Sequence, residues 1–165
     1  MDHAISIAAN DGAVSVESQD KALAELFTTH HAPLIRLAVL LGADDPEDIV
    51  AEAFYQLFRR WNRLRDTESA VAYVRSAVCN LTRMRIRHLQ VARRHAVRST
   101  GEPEVVSSSE AEAVLRDDQR ILIEALKELS TRQREALVLR YWLDLRESEI
   151  ASAMGISAGA VKVHL

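Results

Sequence analysis

Glycine, proline and cysteine are scarce in this sequence, and each scarcity excludes a class of structure. The 165 residues include five glycines and three prolines, too few for the tight turns of a sheet protein, so helices are expected. The single cysteine, Cys79, excludes an internal disulfide and a cysteine-based zinc site within one chain, and fits a reducing compartment. No apolar run reaches membrane-span length, and no basic cluster opens the chain as in a signal peptide. We therefore expect a cytoplasmic protein with no membrane insertion.

Charge is distributed unevenly along the chain. The net charge is only −3, which by itself argues against a nucleic-acid partner. However, residues 75–98 contain seven arginines and no acidic residue, whereas residues 100–129 contain eight acidic and three basic residues. Because it is local charge that meets a phosphate backbone, the arginine-rich segment is a candidate nucleic-acid contact.

Apolar residues recur at helical spacing in three segments of the first hundred residues. Residues 1–19 have no sustained period and are predicted to form a disordered tail. A first helix is expected from Asp20 until Gly42, with Pro33 kinking or dividing it. The second is expected from Pro46 to about residue 61, and the third from Glu68 to about residue 96.

The composition changes between residues 97 and 115. The runs Ser-Thr-Gly-Glu-Pro and Ser-Ser-Ser-Glu in this stretch are typical of a flexible acidic linker. It would join one helical unit at residues 20–96 to a smaller one at residues 116–165. The predicted fold is therefore all-α, with two small helical domains, an N-terminal bundle and a C-terminal unit, connected by that linker.

The end of the chain has the pattern of a helix-turn-helix. Ala151 is small where two helices must approach closely, and Gly155 follows at a turn that requires a positive φ. Ser157 is placed to cap the second helix, on which Lys162 and His164 lie. An ordinary helical hairpin shares part of this pattern. Because the turn, the cap and the apolar positions are all in register, the pattern favours DNA binding.

Three groups of residues resemble the extracytoplasmic-function (ECF) sigma factors of bacterial RNA polymerase. The run LSTRQREALVLRYW at residues 129–142, with EIA at 149–151 and GISAGAVK at 155–162, is similar to the family's −35-binding domain. The run PEDIVAEAF at 46–54 resembles its core-polymerase-binding helix. The run YVRSAVCNL at 73–81 resembles its −10 melting and recognition helix.

The resemblance spans about residues 20–96 and 116–165 and implies a function. It implies a non-enzymatic sigma factor that binds core RNA polymerase, recognises the −10 and −35 promoter elements and melts DNA, with an anti-sigma protein as a further partner. No catalytic residue, metal site or cofactor is expected, because the sequence contains no P-loop, His-Glu-x-x-His motif or nucleophile elbow. The alternative is an ordinary helix-turn-helix transcriptional regulator, which has no need of an arginine-rich helix carrying Tyr73 and Asn80.

The resemblance assigns three contact surfaces to particular residues. The expected core-polymerase contacts are Glu47, Asp48, Val50, Glu52 and Phe54. The expected −10 DNA contacts are Tyr73, Asn80, Arg83, Arg85 and Arg87. The expected −35 DNA contacts are Ser157, Gly159, Lys162 and His164. The plain alternatives are solvated acidic and basic helix faces and, for the asparagine, a surface or capping role.

The −10 set combines three chemical groups that promoter opening requires. Cations hold the backbone, an aromatic ring supports an unstacked base, and an amide reads a base edge. Tyr73 stands where the family usually has tryptophan, Ala51 where it often has glutamine, and His164 where it usually has arginine. The sequence ends at Leu165 within the recognition helix, so it is either truncated there or makes a weak −35 contact.

The remaining aromatic residues are expected in the core. Trp61, Tyr141, Trp142 and the phenylalanines lie among apolar residues, where burial of a large ring is the ordinary outcome. Cys79 is expected to fill space inside a helix interface. His30 and His31 lack metal-site spacing, since adjacent residues point to different helix faces.

The predicted linker leads to a proteolysis test. Limited digestion of the free protein should cut first between Val97 and Ala113, because a polar, flexible segment enters a protease active site most readily. Mass spectrometry of the early fragments identifies the cut. A chain that resists cleavage there would contradict a flexible linker.

Overall fold

Seven α-helices form most of the chain that the computed structural model describes, namely residues 8–64, 66–99 and 117–165. The helices are Ala8–Leu41 (α1), Pro46–Arg60 (α2), Thr67–Ser99 (α3), Asp117–Lys127 (α4), Thr131–Leu137 (α5), Glu147–Met154 (α6) and Ala158–His164 (α7). A 3-10 turn at Trp61–Arg63 follows α2, and a π-helical turn at Val138–Trp142 continues α5. These described residues include no strand, which confirms the all-α prediction.

Helix α1 begins earlier than its apolar pattern predicts. Residues 8–19, expected to belong to a disordered tail, are helical, and residues 1–7 lie outside the described part. The periodicity that marks Asp20 as a start reports a buried face, whereas the alanines at 8, 9 and 13 favour a helix without one. Pro33 lies inside α1 and does not divide it. Gly42, with a φ of 93°, ends the helix as predicted.

Helices α1, α2 and α3 share a core. Leu37 from α1, Val50 and Leu57 from α2, and Val74 and Val78 from α3 are all essentially inaccessible to solvent. On each helix these residues recur at spacings of three, four or seven, which places them on one face. Burial of such faces is the main source of stability of this three-helix unit.

The C-terminal helices form the predicted helix-turn-helix. Gly155 adopts a φ of 66° between α6 and α7, and the backbone N–H of Ala160 donates to Ser157 Oγ at 3.2 Å, which caps α7. Ile150, Met154 and Val161 are buried between these helices and α5. Glycine, cap and apolar positions therefore all have the roles that the sequence predicts.

The C-terminal helices pack directly against α1 and α3. Arg134 Nη1 donates to the carbonyl oxygen of Leu41 at 3.1 Å, and Ser76 Oγ donates to that of Ala153 at 3.2 Å. The buried apolar residues of both parts form one continuous cluster. The segment between the parts, predicted as a linker over 97–115, is helical as far as Ser99. Residues 100–116 lie outside the described part.

Several aromatic residues are exposed, which corrects the prediction that they lie in the core. Tyr141 is 78% exposed, Trp142 48% and Phe58 56%, whereas Phe54 is buried. Tyr141 and Trp142 follow Val138 and Leu139 in the π-helical turn. The wider turn changes the phase of the helix, so a period of 3.6 residues assigns the wrong face. In the described residues, no helix combines the length and hydropathy needed to cross a membrane.

Alanine substitutions of the two glycines in the helix-turn-helix, Gly155 and Gly159, should have opposite effects on stability. Gly155→Ala should lower the free energy of unfolding by about 1 kcal/mol, because a Cβ is unfavourable at positive φ. Gly159 lies in α7, where a Cβ would make only an ordinary contact, 4.0 Å from Ser157 Oγ. Gly159→Ala should therefore raise the free energy of unfolding by about 0.5 kcal/mol. Urea unfolding monitored by circular dichroism measures both, and equal shifts would contradict the assigned turn.

Candidate DNA and polymerase interfaces

The acidic face of α2 consists of three exposed carboxylates. Glu47, Asp48 and Glu52 are exposed on the solvent side of the helix, and Gln56 Nε2 donates to Glu52 Oε1 at 3.1 Å. Val50 and Phe54, predicted as polymerase contacts, are instead buried at 0% and 7% exposure. Their side chains lie on the opposite face of the helix, in its packing surface. The exposed members of the predicted contact set on α2 are therefore the three acidic residues.

One face of α3 presents an aromatic ring, an amide and a guanidinium. Tyr73, Asn80 and Arg87 are spaced seven residues apart, so they lie along the same side of the helix. Asn80 and Arg87 are exposed, and Tyr73 is half-buried. The guanidinium of Arg60 lies over the Tyr73 ring, 5.6 Å from its centroid, which is cation–π geometry. The structure thus brings together three of the five predicted −10 residues and adds Arg60 beside them.

Arg83 is engaged by the C-terminal helices. Its Nη2 donates to Glu135 Oε1 at 2.7 Å, and its Nε donates to Glu135 Oε2 at 3.3 Å. Its Nη1 donates to Asn80 Oδ1 at 2.9 Å. Arg83 therefore lies at the boundary between the exposed face of α3 and the face that contacts α5. This pair is not predictable from the sequence, because no local pattern links residues that are 52 positions apart.

Arg85 has a structural contact on a different side of α3. Its Nη2 lies 2.7 Å from Asp45 Oδ2 and its Nε 3.6 Å from Asp44 Oδ1. Burial and the neighbouring Asp44 raise the pKa of the Asp45 carboxyl, and Arg85 opposes that rise. Asp45 occupies the N-cap position of α2 without a side-chain capping bond. The arginine thus fastens the turn between α1 and α2 to α3, away from the face that carries Asn80.

The predicted −35 residues lie along α7, the second helix of the motif. Ser157, Gly159 and Lys162 are exposed, and His164 is half-buried. Lys162 Nζ lies 3.7 Å from Glu147 Oε2, a pair open to solvent on both sides. Such exposed pairs contribute little to stability, so the ammonium is available to another anion.

Comparison with known proteins assigns the chain to a family. Residues 119–165 match the family model "Sigma-70, region 4". The chain is 32% identical over 143 residues to an RNA polymerase sigma-E factor of Streptomyces avermitilis, which covers 86% of this chain and 77% of that protein. The sigma-E factor of Streptomyces coelicolor is 31% identical, with 86% and 78% covered. The ECF RNA polymerase sigma factor SigL of Mycobacterium tuberculosis is 31% identical over 147 residues, with 85% and 80% covered.

These matches place the chain in the sigma-70 class of transcription factors. It belongs to the ECF family of RNA polymerase sigma factors. It is therefore an alternative sigma factor that directs promoter-specific initiation of transcription, and an ordinary helix-turn-helix regulator is not favoured.

Proposed function

We propose that this sigma factor contacts the −10 element of promoter DNA through the exposed face of α3. The observation that carries the proposal is the alignment of Tyr73, Asn80 and Arg87 along one side of that helix. Arg87 would hold a phosphate, Asn80 would read the edge of an unpaired base, and the Tyr73 ring would stack on a base. Arg60 adds a cation beside the ring. A purely solvated helix face does not require these three groups in one line.

The acidic face of α2 is proposed to bind core RNA polymerase. Glu47, Asp48 and Glu52 present three carboxylates to solvent, and a basic polymerase surface complements them in charge. Charge complementarity of this kind mainly sets the partner and the association rate. The contact therefore depends on the exposed acids, while the buried Val50 and Phe54 keep α2 in position.

The C-terminal helix-turn-helix is proposed to bind the −35 element. In such motifs the second helix enters the major groove with its N-terminal residues near the base edges. Ser157 and Gly159 occupy that end of α7, and Lys162 and His164 lie further along it. Residues 20–96 and 116–165 would then be two functional units, one for the polymerase and the −10 element and one for the −35 element.

The sigma-factor assignment also bears on chemistry and regulation. Sigma factors in general are not enzymes, which supports a non-catalytic role, and their action on RNA polymerase supports a location in the cytoplasm. An anti-sigma protein is proposed as a further partner on the family resemblance alone.

Reversing the acidic face tests the polymerase contact. The double variant Asp48→Lys/Glu52→Lys should weaken binding to core polymerase by about a few kcal/mol, because attraction becomes repulsion. The double variant Glu25→Lys/Glu128→Lys makes the same change in net charge at exposed positions elsewhere and should bind normally. Fluorescence titration with core enzyme measures the affinity, and circular dichroism verifies helicity. Equal affinities of the two variants would contradict the assignment.

The −10 face is tested by comparing Asn80 with Arg87 in the polymerase holoenzyme. Asn80→Ala should relax preference at one base and cost about 1–3 kcal/mol on the preferred promoter only. Arg87→Ala should weaken binding to all sequences and flatten its salt dependence, because a phosphate contact carries no base information. Arg59→Ala, an exposed arginine of α2, is the control.

Binding is measured on a panel of bubble templates that differ in their −10 sequence. Promoter opening is detected by the reaction of unpaired thymines with potassium permanganate. Parallel losses by the Asn80 and Arg87 variants across the panel would contradict base reading by Asn80. Normal promoter opening by both variants would contradict a role for this face.

A further inference from the structure

Helix α3 is buried on two separate sides by different parts of the chain. Val74 and Val78 face α1 and α2. Ser76, Cys79 and Arg83 are spaced by three and four residues, so they form a second stripe along the helix. Ser76 and Arg83 on this stripe bond to the C-terminal helices. Cys79 between them is 1% exposed. The C-terminal helices therefore cover this side of the proposed −10 helix.

The Cys79 thiol lies between Ser76 and Arg83 on the side of α3 that faces the C-terminal helices. Burial raises the pKa of this thiol, and the negative charge of Glu135 raises it further. Glu135 belongs to α5 and accepts from Arg83, which lies about one turn along α3 from Cys79. Release of the C-terminal helices would expose the thiol, which makes Cys79 a natural probe of the contact.

The centre of the contact is a carboxylate shared by two arginines. Glu135, whose side chain is 3% exposed, accepts both bonds from Arg83 and a third, at 3.3 Å, from Arg132 Nη1. Arg132 Nη1 also donates to the carbonyl oxygen of Met154 at 2.9 Å, which ties α5 to α6. Removing one member of such a buried group leaves charge uncompensated and is strongly unfavourable. Loss of Glu135 or of one of its arginines should therefore weaken the contact.

Glu135 also binds Arg83, the arginine that lies closest to Asn80 and is best placed to hold DNA beside it. A guanidinium binds a carboxylate and a phosphate with the same two-bond geometry. While Arg83 is paired with Glu135, its remaining Nη1 donates to Asn80 Oδ1. The oxygen of the amide proposed to read a base is thus engaged as well.

We propose that Glu135 is an internal substitute for a DNA phosphate, which holds the free sigma factor in a closed state. In that state the C-terminal helices cover the Ser76–Cys79–Arg83 stripe. Single-stranded promoter DNA gains Arg83 only when this contact opens. The proposal rests on the proposed DNA-binding role of α3, although the closed state itself does not depend on it.

The closed state is tested by the reactivity of Cys79 in the full chain. The variant Glu135→Gln removes the charge and keeps the size, while Glu128→Gln makes the same charge change at an exposed position. Modification by a disulfide reagent such as DTNB requires an accessible thiolate. Loss of the Glu135 charge by itself lowers the pKa of the Cys79 thiol, so the rates are compared after correction for the thiolate fraction of each variant. Corrected in this way, Glu135→Gln should still react roughly tenfold faster or more, since the rate follows the population of the open state. Glu128→Gln should react like the unchanged protein.

A second variant opens the contact from the other side. Ser76→Gln places a larger neutral side chain against the Ala153 carbonyl and should also accelerate Cys79 modification. Far-ultraviolet circular dichroism and urea unfolding show whether each variant is folded. If both folded variants react at the rate of the Glu128→Gln control, the closed state is wrong.

The competition with DNA is tested separately, with a fluorescent oligothymidylate as the probe. Phosphate binding needs no particular sequence, so Glu135→Gln and Ser76→Gln should both bind this strand several-fold tighter than Glu128→Gln does. Faster Cys79 modification with unchanged strand affinity would overturn the role of Glu135 as a phosphate substitute. If the holoenzyme formed with the unchanged protein failed to open promoters, the proposed function would be wrong. The faster modification of Cys79 in the variants would still support the closed state of the free protein.

Discussion

Helix α3 is the element on which the rest of the molecule depends, because three of its sides meet different surroundings. Val74 and Val78 pack into the core with α1 and α2. The stripe of Ser76, Cys79 and Arg83 meets the C-terminal helices. Asn80 remains exposed between them. A period of 3.6 residues keeps these sides apart, so one helix connects the core, the interdomain contact and the proposed DNA surface without a change in backbone geometry.

The arginines look interchangeable in the sequence, yet each has a different environment. Arg83 pairs with a buried carboxylate, whereas Arg85 pairs with half-exposed acids at a turn. Exposed pairs contribute little, and buried ones lose much when a partner is removed. Arg134 donates to the carbonyls of Leu41 and Leu126, and burial lowers its pKa. A Cβ at Gly42 would collide with this guanidinium, so that glycine serves both the left-handed turn and the interdomain contact.

The features predicted correctly from the sequence are those with local determinants. Gly155 and Ser157 specify the turn and cap of the helix-turn-helix within a few residues. The exposure of Tyr141 was predicted wrongly, because a π-helical turn shifts the helical phase. The Arg83–Glu135 pair was not predicted, since its members are far apart in sequence and belong to parts that were expected to be independent. The exposed acidic face of α2 follows from simple amphipathicity, whereas Val50, expected among the polymerase contacts, is buried in the packing surface of the helix.

The two parts share a buried apolar cluster, and the Glu135 ion pairs add a charged contact that can exchange with a different kind of partner. An apolar interface would need a partner of matching shape to replace it, because burial is proportional to area. Here Glu135 is one negative charge held by two guanidiniums, Arg83 and Arg132, so the cluster keeps a net positive charge. A phosphate that approaches Arg83 exchanges one anion for another with the same hydrogen-bonding geometry. Opening therefore does not leave the arginine without a partner, and the charge that closes the molecule is of the same sign as the ligand that the arginine would bind in the open form.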